Sequence, residues 1–151
     1  MTSSTEPAVL ELYKIAVESA DRVTARRGTA NSYYLTVQTA FIAVLAVVAP
    51  QGPKTPAWQA AVASTAGIML SACWWLQLRS YRDLNKAKFT VITEVEKQLP
   101  VKVFTDEWDS LKTDPIKTWR QRYAELGTVE RVVPWVFAAL YVTLFLAELA
   151  R

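Results

Sequence analysis

The chain has 151 residues, room for one domain at most, and 52% of them are hydrophobic. It contains no histidine, which removes the usual general base and the commonest metal ligand. The net charge is only +3, but it is so unevenly placed that three long stretches carry none, which sets aside an ordinary soluble domain.

Residues 6–27 read as an amphipathic cytoplasmic helix. Thr5 suits an N-cap before Glu6 and Pro7, because proline fits the first helical turn. Val9, Leu12, Ala16 and Val23 recur on one face, and Leu10, Tyr13, Val17 and Ala20 widen it. Glu6, Glu11, Glu18 and Asp21 rule out a signal peptide here. Gly28 is expected to bend this helix or to let it pass close to a neighbour. The first span, residues 33–49, would then act as an uncleaved anchor.

The second span is residues 58–78 and the third 132–149, charge-free as far as Ala147. A helix rises about 1.5 Å per residue, so roughly 20 apolar residues cross the hydrocarbon core. The second stretch clears that length; the first and third need tilt or flanking residues. Between the first two, Pro50, Gly52, Pro53 and Pro56 allow no helix to continue. The competing reading, a soluble bundle with very apolar core helices, sits poorly with the strongly polar middle of the chain.

Residues 79–131 read as a cytoplasmic helical region. No breaker follows the second span, and Tyr81, Leu84, Lys88, Val91, Ile92, Val95 and Leu99 keep helical spacing until Pro100. One helix of about 40 residues is therefore expected, half in lipid and half in cytoplasm. Thr105 before Asp106 and Glu107 is expected to start a short turn with Trp108 and Leu111. Asp114 and Pro115 should start a further helix with Ile116, Trp119, Tyr123 and Leu126 on its apolar face and Gly127 as its stop. Thr128 is the expected cap of the third span, and Pro134 should kink it slightly. The fold class is all-α: an integral membrane protein with three transmembrane helices, an amphipathic N-terminal helix and a cytoplasmic helical region. Residues 1–151 form a single membrane domain in this reading.

Lys14, Arg22, Arg26 and Arg27 precede the first span, and residues 79–131 hold eleven of the 17 Lys and Arg. Basic segments stay in the cytoplasm. Both lie inside if two spans separate them, so the N-terminus is expected inside and the C-terminus outside the cytoplasmic membrane.

No catalytic constellation stands out, and no cofactor or metal is implied. The chain reads as a non-enzyme with no nucleic-acid partner. Glu94, Glu96, Asp106, Glu107 and Asp109 read as solvated faces or helix-start charges. The polar residues within the spans, such as Gln38, Ser64, Ser71 and Thr143, are not ionisable, which argues against coupled transport. Ala63, Gly67 and Ser71 follow the spacing that lets helices approach closely in lipid, against a background of ordinary alanine-rich span composition. Tyr81, Asn85 and Lys88 share one face below the membrane, where an asparagine in an apolar stripe can fix helix register or touch a ligand. These six are candidate oligomer or packing contacts. Arg22, Arg26, Arg27, Asn31, Arg79 and Arg82 crowd the cytoplasmic interface, where they either contact anionic lipid or form a polar network.

Four blocks together carry a resemblance: Ala20–Ala40, Leu78–Pro100, the Glu107–Trp108 pair before Leu111, and Glu130–Tyr141. They resemble the RipA-type octameric bacterial membrane protein family, over most of the chain from about Leu12 to the last span. The resemblance implies eight copies in the bacterial inner membrane, and it brings no catalytic residues with it. The expected function is that of a non-enzymatic homo-oligomer, ring- or barrel-like, of structural or scaffold type. The alternative is a passive channel or pore-forming effector gated by a cytoplasmic ligand.

Overall fold

The computed structural model describes residues 5–48, 56–113 and 126–150. All the regular structure in them is helical: α1 (Thr5–Val48), α2 (Ala57–Glu96), α3 (Val103–Thr113) and α4 (Leu126–Leu149). α1, α2 and α4 are each long and apolar enough to cross a membrane, with mean hydropathies of 1.3, 1.3 and 1.9 in their apolar windows. The protein is an all-α membrane protein with three membrane helices.

α1 is one helix of 44 residues, so the amphipathic segment and the first span are continuous. Gly28 does not break it, and among the described residues of the chain nothing lies within 4 Å of the place a Cβ would occupy. The helical hydrogen bonds on either side carry it through, at a propensity cost of about 1 kcal/mol. α2 is 40 residues long, as the unbroken spacing predicts. It ends at Glu96, ahead of Pro100, where Gln98 N–H and Leu99 N–H close onto the carbonyls of Val95 and Glu96 at 3.0 Å. α3 starts at Val103, two residues before the expected Thr105. α4 starts at Leu126, so Gly127 stops no helix and Thr128 lies inside α4. Pro134 lies inside α4 as well, and the helix runs on to Leu149. The expected helix from Asp114, and most of the turn before Pro56, lie outside the described residues.

The chain divides into two compact units, one from Met1–Arg26 with Tyr81–Glu125 and the other from Arg27–Ser80 with Leu126–Arg151. In the first, the start of α1 runs antiparallel to the end of α2. Tyr13 meets Glu96, and Lys88 donates to Ser19 Oγ. Among the described residues, Ala20, Val23 and Ile92 are the buried apolar residues of this unit. Its seam is narrower than the sequence stripe: Leu10, Leu12 and Leu84 are exposed, because the inward line runs instead through Tyr13, Ala16, Ala20 and Val23.

In the second unit the membrane portions of α1, α2 and α4 pack together. The inward line of α2 is Ser64, Gly67, Ser71, Trp74 and Leu78, at alternating spacings of three and four. Small residues at one end of that line admit close neighbours, and Trp74 fills the other end.

Candidate functional site

Among the described residues, two clusters of polar side chains are built into this fold, one in each unit. In the membrane unit, Tyr141 on α4 donates its hydroxyl to Gln38 Oε1 on α1 at 2.7 Å. Gln38 Nε2 donates to Ser71 Oγ on α2 at 2.8 Å, and Ser71 donates to the Gly67 carbonyl at 2.9 Å. Gln38, Ser71 and Tyr141 are all buried. In hydrocarbon a polar group without a partner costs several kcal/mol, so each link holds the next, at roughly 0.6–2 kcal/mol apiece. Gly67 makes the chain possible: an added Cβ would sit 2.5 Å from ring carbons of Tyr141. Ser71 and Gly67, two of the small residues singled out in the sequence, therefore serve α1 and α4 of the same protomer. Ala63, the third, is half-buried on the same line.

One level further along, Trp74 Nε1 donates to Asn31 Oδ1 at 3.1 Å. Its ring stacks on Tyr34 (5.9 Å, 6°) and tilts against Phe137 (5.8 Å, 52°). Aromatic pairs of this kind add about 0.5–1.5 kcal/mol each beyond burial. Beyond Trp74, Arg27 pairs with Glu130 across α1 and α4, with both side chains mostly buried. Arg79 lies over the Trp75 ring at 5.7 Å, and Trp75 meets Trp135 edge-on at 6.1 Å. Tryptophan and arginine favour a membrane–water boundary, and the residues at this level suit one.

In the other unit the centre is Glu96, which is buried. Its Oε1 accepts the Tyr13 hydroxyl and the Phe104 N–H, each at 2.8 Å. Its Oε2 accepts the Thr105 N–H at 3.2 Å and the Thr105 hydroxyl at 2.8 Å. The first N–H groups of a helix lack internal partners and favour negative charge, so Glu96 caps α3 from the end of α2. Burial alone would raise the Glu96 carboxyl, but the bonds from Phe104, Tyr13 and Thr105 outweigh it and hold it below the ordinary range. Burial, followed by the hydrogen bond and the charge of Glu96, pushes the Tyr13 phenol up to about 12. Phe104 closes the cluster against Tyr13 (6.5 Å) and Phe89 (5.4 Å). The sequence reading placed Glu96 on a solvated face and gave the start of α3 to Thr105. Glu96 is instead the cap, and its place within the apolar line of Ile92, Val95 and Leu99 was the available signal.

The remaining candidates are spread out. Arg22 bonds Glu18 on the surface, and Arg26 and Arg82 are exposed. Such surface pairs contribute little. Tyr81, Asn85 and Lys88 do share an inward face, and the buried Oδ1 of Asn85 has no hydrogen-bond partner. Among the described residues no group of three or more Asp, Glu, Cys or His is placed to hold a metal ion.

Residues 10–150 match the model of the octameric membrane protein family (8xMP). The chain belongs to that family. No curated protein and no solved structure matches it. Two of the blocks that carry the family resemblance, Ala20–Ala40 and Glu130–Tyr141, meet twice in this fold, at Arg27–Glu130 and at Gln38–Tyr141. They are partner surfaces of α1 and α4.

Proposed function

We propose that this octameric-family chain is a non-enzymatic, homo-oligomeric scaffold of eight copies in the bacterial cytoplasmic membrane. Family membership over residues 10–150 is the observation that carries the reading. The use of polar side chains supports it: Gln38, Ser71 and Tyr141 bond one another at membrane depth, and none is ionisable at neutral pH. Outward from them the membrane helices present large apolar side chains, among them Val44, Val62, Met69, Leu140 and Leu146, which suit lipid or a neighbouring copy. The exposed Arg79, over the ring of Trp75, suits anionic lipid at the boundary.

The scaffold reading predicts no conduction. Liposomes containing the purified assembly should leak potassium no faster than protein-free liposomes. A flux that scales with protein content would replace the scaffold by the passive pore. The Lys and Arg distribution further supports an N-terminus inside and a C-terminus outside. A reporter active only in the cytoplasm should work when fused before Met1 and stay silent after Arg151. Activity after Arg151 would mean that α4 does not cross.

A further inference from the structure

The first unit has two unlike sides. At 100° per residue, Tyr13 and Val17 lie toward one flank of the line through Ala16, Ala20 and Val23 of α1, and Leu12 and Ile15 toward the other. On α2, Phe89 and Glu96 lie on one flank of the line through Ile92, and Leu84 and Val91 on the other. The two helices are antiparallel here, so these flanks pair up across the hairpin. α3 takes one side, where Phe104 touches Tyr13 and Phe89 and Glu96 caps its first turn. Among the described residues the opposite side is left with Leu12, Ile15, Leu84 and Val91, exposed at 62%, 60%, 47% and 57%.

The hydrocarbon core of a bilayer does not suit this side. Residues 5–26 and 81–113 carry charged side chains on nearly every turn and are too polar to enter the bilayer. Among the described residues, other apolar exposure falls mainly on the membrane helices, where lipid or a neighbouring copy suits it. We propose that the Leu12–Ile15–Leu84–Val91 face is where the next copy of this chain docks, and that the neighbour presents its α3 side. The inference rests on the octameric reading above and adds the surfaces that build it.

Symmetry selects the second surface. Copies inserted in one orientation are related by an axis along the membrane normal, so the assembly is cyclic and its contacts are head-to-tail. A face then meets a different face of the next copy, never itself. In a ring of eight, neighbours turn by roughly 45°, so the two surfaces of each protomer lie on nearly opposite sides. Opposite the apolar face is the α3 side. It carries Val103, 54% exposed, with Asp106 and Glu107 exposed beside it. The apolar face continues along α1 into exposed Arg22 and Arg26. Asp106 and Glu107 of α3 thus meet Arg26 and the Arg22–Glu18 pair of α1, with Leu12, Ile15 and Val103 between them, an arrangement that favours one register.

Disulfide trapping tests this in full-length protein with Cys73 replaced by alanine. Two differently tagged copies are co-expressed, one with Ile15→Cys and one with Val103→Cys, and the membranes are oxidised. A disulfide-linked heterodimer is expected, together with loss of the octamer to smaller species in Ile15→Lys. A homodimer of Ile15→Cys alone would overturn the head-to-tail contact. An intrachain disulfide in the Ile15→Cys/Val103→Cys double variant would mean that the chain covers its own face, and would also overturn it. No disulfide in a protein that still sizes as an octamer would remove these surfaces and leave the octamer standing. A wild-type protein that does not size as an octamer would remove the parent reading as well.

Discussion

Gly67→Leu is expected to destabilise the membrane unit by about 3 kcal/mol or more, because overpacking costs about 1–3 kcal/mol and a broken interhelical bond adds to it. The reason is local. Carbon atoms pack best at about 3.5–4.0 Å, whereas a Cβ on Gly67 would stand 2.5 Å from the Tyr141 ring. Tyr141 is buried and tied to Gln38, so it cannot swing aside without leaving Gln38 Oε1 unpaired in hydrocarbon. Even Gly67→Ala should lower the thermal midpoint of the detergent-solubilised protein. A double-mutant cycle isolates the cause: in a Tyr141→Ala background the added methyl has room, and the cost of Gly67→Ala should shrink. A Gly67→Leu protein that melts like wild type would mean that α4 does not pack on Gly67.

The second large effect belongs to Glu96. Glu96→Ala strands the Tyr13 hydroxyl and the N–H groups of Phe104 and Thr105, for about 3 kcal/mol of lost charged hydrogen bonding. The amides at the start of α3 should lose hydrogen-exchange protection, while those of α1 and α2 within the membrane keep theirs. Unchanged protection at Phe104 and Thr105 would show that α3 is held by its apolar contacts alone. The pH dependence carries a matching sign. The folded carboxyl titrates below its ordinary 4.5, so its contribution is whole above that value and fades as pH falls through the lowered one. Tyr13 works at the other end. Its phenol is raised from 10.0 to about 12, so the neutral form is favoured and its contribution is lost as pH rises through that interval. α3 should therefore be best held between mildly acidic and mildly basic pH, and Glu96→Ala should flatten the acid limb.

The membrane helices were legible because hydrocarbon tolerates so little: long charge-free stretches have few other uses. The length of α2 was legible for a similar reason, since nothing between Leu78 and Glu96 interrupts a helix. The partners of the polar residues were not legible. Tyr13 and Glu96 lie 83 positions apart, and Gln38 and Tyr141 lie 103 apart, with no local pattern to connect them. Gly67 could be recognised as a small residue at a close contact, but spacing alone does not say whether the contact is α4 or another copy. Leu12 and Leu84 show the limit of periodicity. A wide apolar stripe marks a helix that buries something, while the line that packs within the protomer is set by tertiary partners. The residues left over are the ones argued to meet the next copy.

The most direct test is the mass of the assembly extracted into native lipid nanodiscs. The account predicts one species containing eight times the 16.9 kDa chain, about 135 kDa of protein, at concentrations well below those of overexpression. A monomer, or a continuous series of sizes that shifts with dilution, would contradict it.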